Sequence, residues 1–132
     1  MRTIKFRGKS AATSDWIYGN LVSMPDGISG YAIVGDHFKL PSCDAIGTEE
    51  YCEVLNDTIG QFIGITDVAD QPIYEGDIMQ CNDGWCYEVR YRDDYAQFVA
   101  KRPGITGIVF DFERSKVVGN VFDNPEILEA YK

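Results

Sequence analysis

Apolar and polar residues alternate in short runs separated by glycine-rich turns, and this period of two predicts a β-rich chain. In Ile4-Lys5-Phe6-Arg7-Gly8-Lys9, Ile4 and Phe6 share one face while Lys5 and Arg7 share the other. A half-buried first strand with an outward cationic ridge is the expectation. Asp15 to Val22 reads as a second strand, Tyr31 to Val34 as a third and Glu49 to Leu55 as a fourth, with turn or loop over Ser23 to Gly30 and Gly35 to Thr48. From Thr58 to Thr66, Ile59, Ile63 and Ile65 lie on one face and Gly60 and Gly64 on the other.

Two linked hairpins follow. A four-residue turn over Asn82 to Trp85 would set Cys81 opposite Cys86 and Ile78 opposite Val89. A two-residue turn at Asp93-Asp94 would set Val89 opposite Phe98 and Tyr91 opposite Ala96. Opposed residues share a face, so Ile78, Tyr87, Val89, Tyr91, Ala96 and Phe98 are expected inward and Glu88, Arg90 and Arg92 outward. Ile105 to Phe112 and Lys116 to Phe122 read as the last strands. Asp123 or Asn124 would then cap a short helix with Pro125 at its first position, pinned by Ile127 and Leu128. The predicted fold is mainly β: a short-strand N-terminal β subdomain over 1–57, and a C-terminal SH3-type barrel with a terminal helix over 58–132, packed as one compact unit.

With 132 residues, 45% hydrophobic and 25% charged, the composition is that of an ordinary globular chain able to fold without a disulfide or metal. Met1 is present, so the chain is expected to be complete; no secretory leader or membrane span is read, and a cytoplasmic location follows. The formal net charge of −9 argues against a general nucleic-acid binder. Eleven acids and no Lys or Arg lie between Lys39 and Arg90, whereas Arg2, Lys5, Arg7 and Lys9 open the chain without an acid. The segregation suggests a solvated acidic face, or a basic strand that meets the acidic block within the chain or in a neighbouring copy.

No catalytic or metal signature emerges. Cys43, Cys52, Cys81 and Cys86 form no CxxC pair and the sole histidine is His37, so zinc is not expected and the thiols are expected reduced. Gly8-Lys9-Ser10 resembles the end of a phosphate loop, but Thr3 stands where that motif needs glycine. Glu75 and Asp77 flank Gly76 and share a strand face; paired carboxylates can hold a metal or move protons, but a tight strand entry is the favoured reading. Among the aromatics, Tyr95 and Trp85 sit near turns where an exposed ring would mark a contact surface. Lys5, Arg7, Glu75, Asp77 and Tyr95 are therefore the candidate interaction residues.

Five stretches together resemble the YopX family of phage and prophage proteins. They are Ile4 to Lys9, Trp16-Ile17-Tyr18-Gly19, Thr58 to Asp67, Ile73-Tyr74-Glu75-Gly76-Asp77-Ile78 and Val118 to Glu126. The resemblance implies a mostly β fold whose C-terminal part is an SH3-type barrel, and an origin in a phage or integrated element. It brings no catalytic residues and no cofactor.

The sequence therefore points to a non-enzymatic, cofactor-free cytoplasmic binding or assembly module that self-associates and engages a protein partner. The rival is a nucleic-acid-related accessory protein acting through the basic strand or by acidic mimicry, although nothing in the residues directly supports a nucleic-acid partner. A small hydrolase or metal enzyme using Glu75 and Asp77 is the third class.

Overall fold

The computed structural model describes residues 2–23, 30–35, 51–102 and 110–129. The fold is mainly β, the described strands pair antiparallel, and the chain forms two compact units, Met1–Gln61 and Phe62–Lys132. No described helix is long and apolar enough to cross a membrane.

In the first unit, β1 (Phe6–Lys9), β2 (Trp16–Ser23), β3 (Tyr31–Gly35) and β4 (Tyr51–Val54) pair in the order β4-β3-β2-β1, and β5 (Gly60–Thr66) starts alongside β1. Ile17, Ile33, Cys52 and Val54 form the core, with Leu21 and Ile59 packed against it. Beyond β1, Ser10 bridges Val54, and Leu55 N–H donates to Lys9 O at 2.8 Å, so β4 lies against the end of β1. That approach requires Gly8: a Cβ there would stand 2.9 Å from Val54 Cβ. Ser10 is fully buried; its Oγ accepts the Ala12 and Thr13 N–H groups at 3.2 and 3.3 Å and lies 3.5 Å from Cys52 Sγ.

Two expectations for this unit are overturned. Ile4 precedes the first strand and is 56% exposed, while Arg7 is only 5% exposed. Arg7 lies opposite Tyr18 and its guanidinium sits 4.5 Å from the centre of the Trp16 ring, with Lys9 Nζ at 5.5 Å. Stacking on an indole covers the planar cation, so charge alone was a poor guide to its exposure. Cys52 is disulfide-bonded rather than reduced, with its partner outside the described residues; Cys81 and Cys86 are free.

In the second unit, the later part of β5 pairs with β6 (Pro72–Tyr74). The strands β7 (Asp77–Gln80), β8 (Cys86–Arg92), β9 (Gln97–Lys101) and β10 (Lys116–Asn120) form a sheet of order β10-β7-β8-β9. Ile73, Met79 and Val89 are its core, with Ile63, Ile65, Phe110, Phe112 and Val117 packed around them. A short helix, α1 (Glu126–Glu129), follows. These described pairings form open sheets. Most of the strand expected over Ile105 to Phe112 lies outside the described residues, and Phe112–Arg114 is a 3-10 turn.

Both predicted hairpin registers differ from those observed. Ile78 opposes Glu88 and Met79 opposes Tyr87, a shift of one. Gly84, at φ 92°, adds a residue to the turn: Gly84 N–H donates to Cys81 O and Cys81 N–H to Trp85 O, both at 2.9 Å. Cys86 therefore faces Gln80, not Cys81. The second turn spans Asp93 to Ala96, so Val89 opposes Ala100 and Tyr91 opposes Phe98. This shift of two preserves the face of β8 but carries Tyr91 to an exposed end and puts Ala96 in the turn. The one-residue slip moves Ile78 to the face opposite Met79 and Val89. Ile78 is nonetheless fully buried, because this sheet covers apolar residues on both faces at its centre.

Candidate functional site

The second face of the β7-β8-β9 sheet carries Ile78, Glu88, Arg90, Val99 and Lys101, as the register requires. The chain after β10 folds back beside this face, held by two hydrogen-bonded turns, one before β7 and one after β10.

The first turn is Tyr74-Glu75-Gly76-Asp77. Asp77, 2% exposed, accepts the Tyr74 N–H on Oδ2 at 2.8 Å, and Gly76 takes φ 90° between them. Gly76 N–H donates to Val89 O at 2.8 Å, and Val121 N–H donates to Gly76 O at 2.9 Å. Asp77 thus serves the backbone of its own turn. The second turn is built by asparagines. Asn120 Oδ1 accepts N–H groups from Phe122 and Asp123 at 3.0 and 2.9 Å, and Asn124 Oδ1 accepts the Asn120 N–H at 3.3 Å. Asn124 leaves no room for a side chain at Gly119, where a Cβ would fall 2.5 Å from its Oδ1. The turn launches Pro125 and the helix.

The result is a cleft of about 290 Å³ lined by Glu88 and Arg90 of β8, Lys101 at the end of β9, Arg102, and Val121, Pro125, Leu128 and Glu129 of the C-terminal segment. The C-terminal wall is mostly apolar, with Glu129 at its end, and the strand wall carries charge. Arg90 Nε lies 3.8 Å from Glu88 Oε2, so these two largely neutralise one another. Lys101 opposes Glu88 across the ladder, but its side chain makes no ion pair or hydrogen bond among the described residues. Arg102 places its guanidinium 3.9 Å from the Trp85 ring centre and 5.4 Å from that of Tyr87, and its buried Nε has no hydrogen-bond partner. In a chain of formal charge −9, this is a local cationic spot beside an apolar wall.

The comparisons with known proteins agree with this architecture. A family model described as YopX protein matches residues 5–129. The chain belongs to the YopX family. No curated protein matches it. Protein EF1440 from Enterococcus faecalis, known from a crystal structure, is similar in fold, with a TM-score of 0.61 and 23% identity over 97% of this chain and 99% of that one. Seen through the family motifs, Ile73 to Ile78 and Val118 to Glu126 supply the two turns that Val121 N–H and Gly76 O join, and these turns position one wall of the cleft.

None of the five residues singled out from sequence lines the cleft; Lys5 and Arg7 belong to the first unit, and Glu75, Asp77 and Tyr95 to the second. Arg7 and Asp77 are buried, so neither presents a surface. Lys5 and Glu75 are half-buried. Tyr95 is 62% exposed, with the Arg92 guanidinium 3.9 Å from its ring centre. Arg92 is itself held by Asp94, Nε to Oδ1 at 2.9 Å, and this hydrogen bond lowers the Asp94 pKa below its ordinary value. Sequence reasoning missed Lys101, Val121 and Leu128. The signal was the adjacent cations Lys101 and Arg102 at a strand end, and their significance depends on what folds beside them. Among the described residues no group of three or more His, Cys, Asp or Glu side chains is placed to hold a metal; His37 and Cys43 lie outside them.

Proposed function

We propose that this chain is a non-enzymatic protein-binding module, encoded by a phage or integrated element and acting in the cytoplasm. The observation that carries the reading is the cleft. Lys101, without an ion pair among the described residues, lines the cleft together with Val121, Pro125 and Leu128, the mixture of anchor charge and apolar contact that recognition sites use. An SH3-type closure of the second unit and a homo-oligomeric state belong to the same proposal. Tyr18, Val22, Val34 and Tyr51 supply apolar surface for self-association: all four are exposed and share the outer face of the first unit's sheet. The nucleic-acid reading is weakened by the burial of Arg7, which removes its central cation from the surface.

Panning a displayed random-peptide library against the full-length protein tests the module reading. Related sequences should be enriched and competed by soluble peptide; a library that yields no saturable binder overturns it. Light scattering across protein concentration tests self-association, and a chain that stays monomeric at high concentration and low salt rules it out.

A further inference from the structure

We infer that the cleft of the second unit takes an extended peptide in which a carboxylate side chain lies next to an aliphatic one. This deepens the binding-module reading and rests on it. The charge argument is local. Arg90 lies against Glu88, and the Arg102 guanidinium lies over Trp85 with its Nε buried, so among the described residues Lys101 is the exposed cation of the cleft without an ion pair. Lysine acts as a point charge on a flexible stem, suited to a side-chain carboxylate whose position varies with the peptide.

The shape argument selects the neighbouring residue. Val121, Pro125 and Leu128 form an apolar wall across the cleft from the charged strand residues, and the volume of about 290 Å³ accommodates a side chain or two rather than a folded element. An aliphatic group on that wall loses water while the carboxylate stays at the rim beside Lys101. The apolar contact supplies affinity and the charge supplies orientation.

The probe is an acetylated, amidated peptide alternating Glu and Leu, titrated into the full-length protein with binding read by fluorescence anisotropy and amide chemical shifts. Lys101, Val121 and Leu128 should shift together. Exposed ion pairs are worth little, so Lys101→Met should weaken binding about fivefold and Lys101→Glu about tenfold or more. Peptides with Lys for Glu or Ser for Leu should bind the wild type weakly, and the Lys-Leu peptide should bind Lys101→Glu better than it binds the wild type. Lys101 is exposed, so these variants keep the fold, which unperturbed shifts of the second unit's core residues Ile73, Met79 and Val89 verify. The inference fails if the Glu-Leu peptide leaves the cleft amides unmoved, if Lys101→Glu binds it as well as the wild type does, or if the Glu-Ser peptide matches it. Library binders that map to another surface would defeat this inference while leaving the module reading intact.

Discussion

Asp67 carries one of the second unit's most heavily used side chains, and replacing it isolates the contribution of a buried carboxylate. Its Oδ1 accepts the Ala69 and Gln71 N–H groups at 2.8 and 2.9 Å, and its Oδ2 accepts the Val117 N–H at 2.9 Å. The first two close the loop after β5, and the third ties that loop to β10, as does Val68 N–H to Ser115 O at 3.0 Å. Burial opposes the charged form, but the three backbone donors outweigh it with help from Lys116, so the Asp67 pKa lies below its ordinary value. Hydrogen bonds to an ionised group contribute about 1.5–3 kcal/mol each, less the cost of desolvating the carboxylate. Ala69 and Gln71 are exposed, so their N–H groups find water when the carboxylate is removed, whereas Val117 is half-buried. Asp67→Ala should therefore cost about 3–4 kcal/mol, and Asp67→Asn, which keeps one carbonyl acceptor, about 2–3 kcal/mol.

The pH dependence has a definite sign. With its folded pKa depressed, Asp67 contributes stability that is complete above the unfolded value and is lost as pH falls from there through the folded pKa. The gap between wild type and Asp67→Asn should thus be full at neutral pH and shrink below about pH 4. The two tryptophans make the assay specific: Trp16 lies in the first unit and Trp85 in the second. In a Trp16→Phe background, denaturant unfolding followed by Trp85 emission reports the unit that contains Asp67. A gap under about 0.5 kcal/mol at neutral pH, the scale of an ordinary surface substitution, or one that does not narrow in acid, refutes the reasoning.

Three further outcomes are expected. Gly8→Ala should destabilise the first unit by about 1–3 kcal/mol in denaturant unfolding followed by Trp16, because the new methyl meets Val54 at 2.9 Å; a neutral result would show that β4 can retreat. Ser10→Ala should cost about 1–3 kcal/mol by the same measurement, since it strips the acceptor from two N–H groups in the following turn, and restoration by Thr but not by Val would assign the loss to the hydroxyl. Thiol titration of denatured, unreduced protein should count two free thiols, from Cys81 and Cys86; in the native state Cys81 should alkylate slowly, because burial raises its pKa, and a count of four would contradict the bonded state of Cys52.

Much of the architecture was legible in the residues. Alternation located the strands at Trp16–Ser23, Tyr31–Gly35, Tyr51–Val54 and Cys86–Arg92 to within about two residues, because a half-buried strand writes its period directly into the sequence. The Gly-centred Glu75-Gly76-Asp77 turn and the Pro-led final helix were readable for a similar reason: backbone geometry there selects particular residue types. Register was not legible. One additional residue at Gly84 moved Ile78 from one face of the sheet to the other, and no local pattern could object, since Ile78 is buried either way. Charge likewise failed to predict exposure, because Arg7 found an indole across the strand pair and Asp77 a backbone N–H three residues back. The cleft was invisible for the deepest reason. Lys101 and Leu128 are unremarkable separately, and only the hydrogen bond between Val121 and Gly76, spanning 45 positions of chain, helps to set the apolar wall beside the cation. Local sequence determined which segments are strands; tertiary contacts decided which of their faces meet, because burial and pairing are properties of neighbours that the chain supplies from a distance.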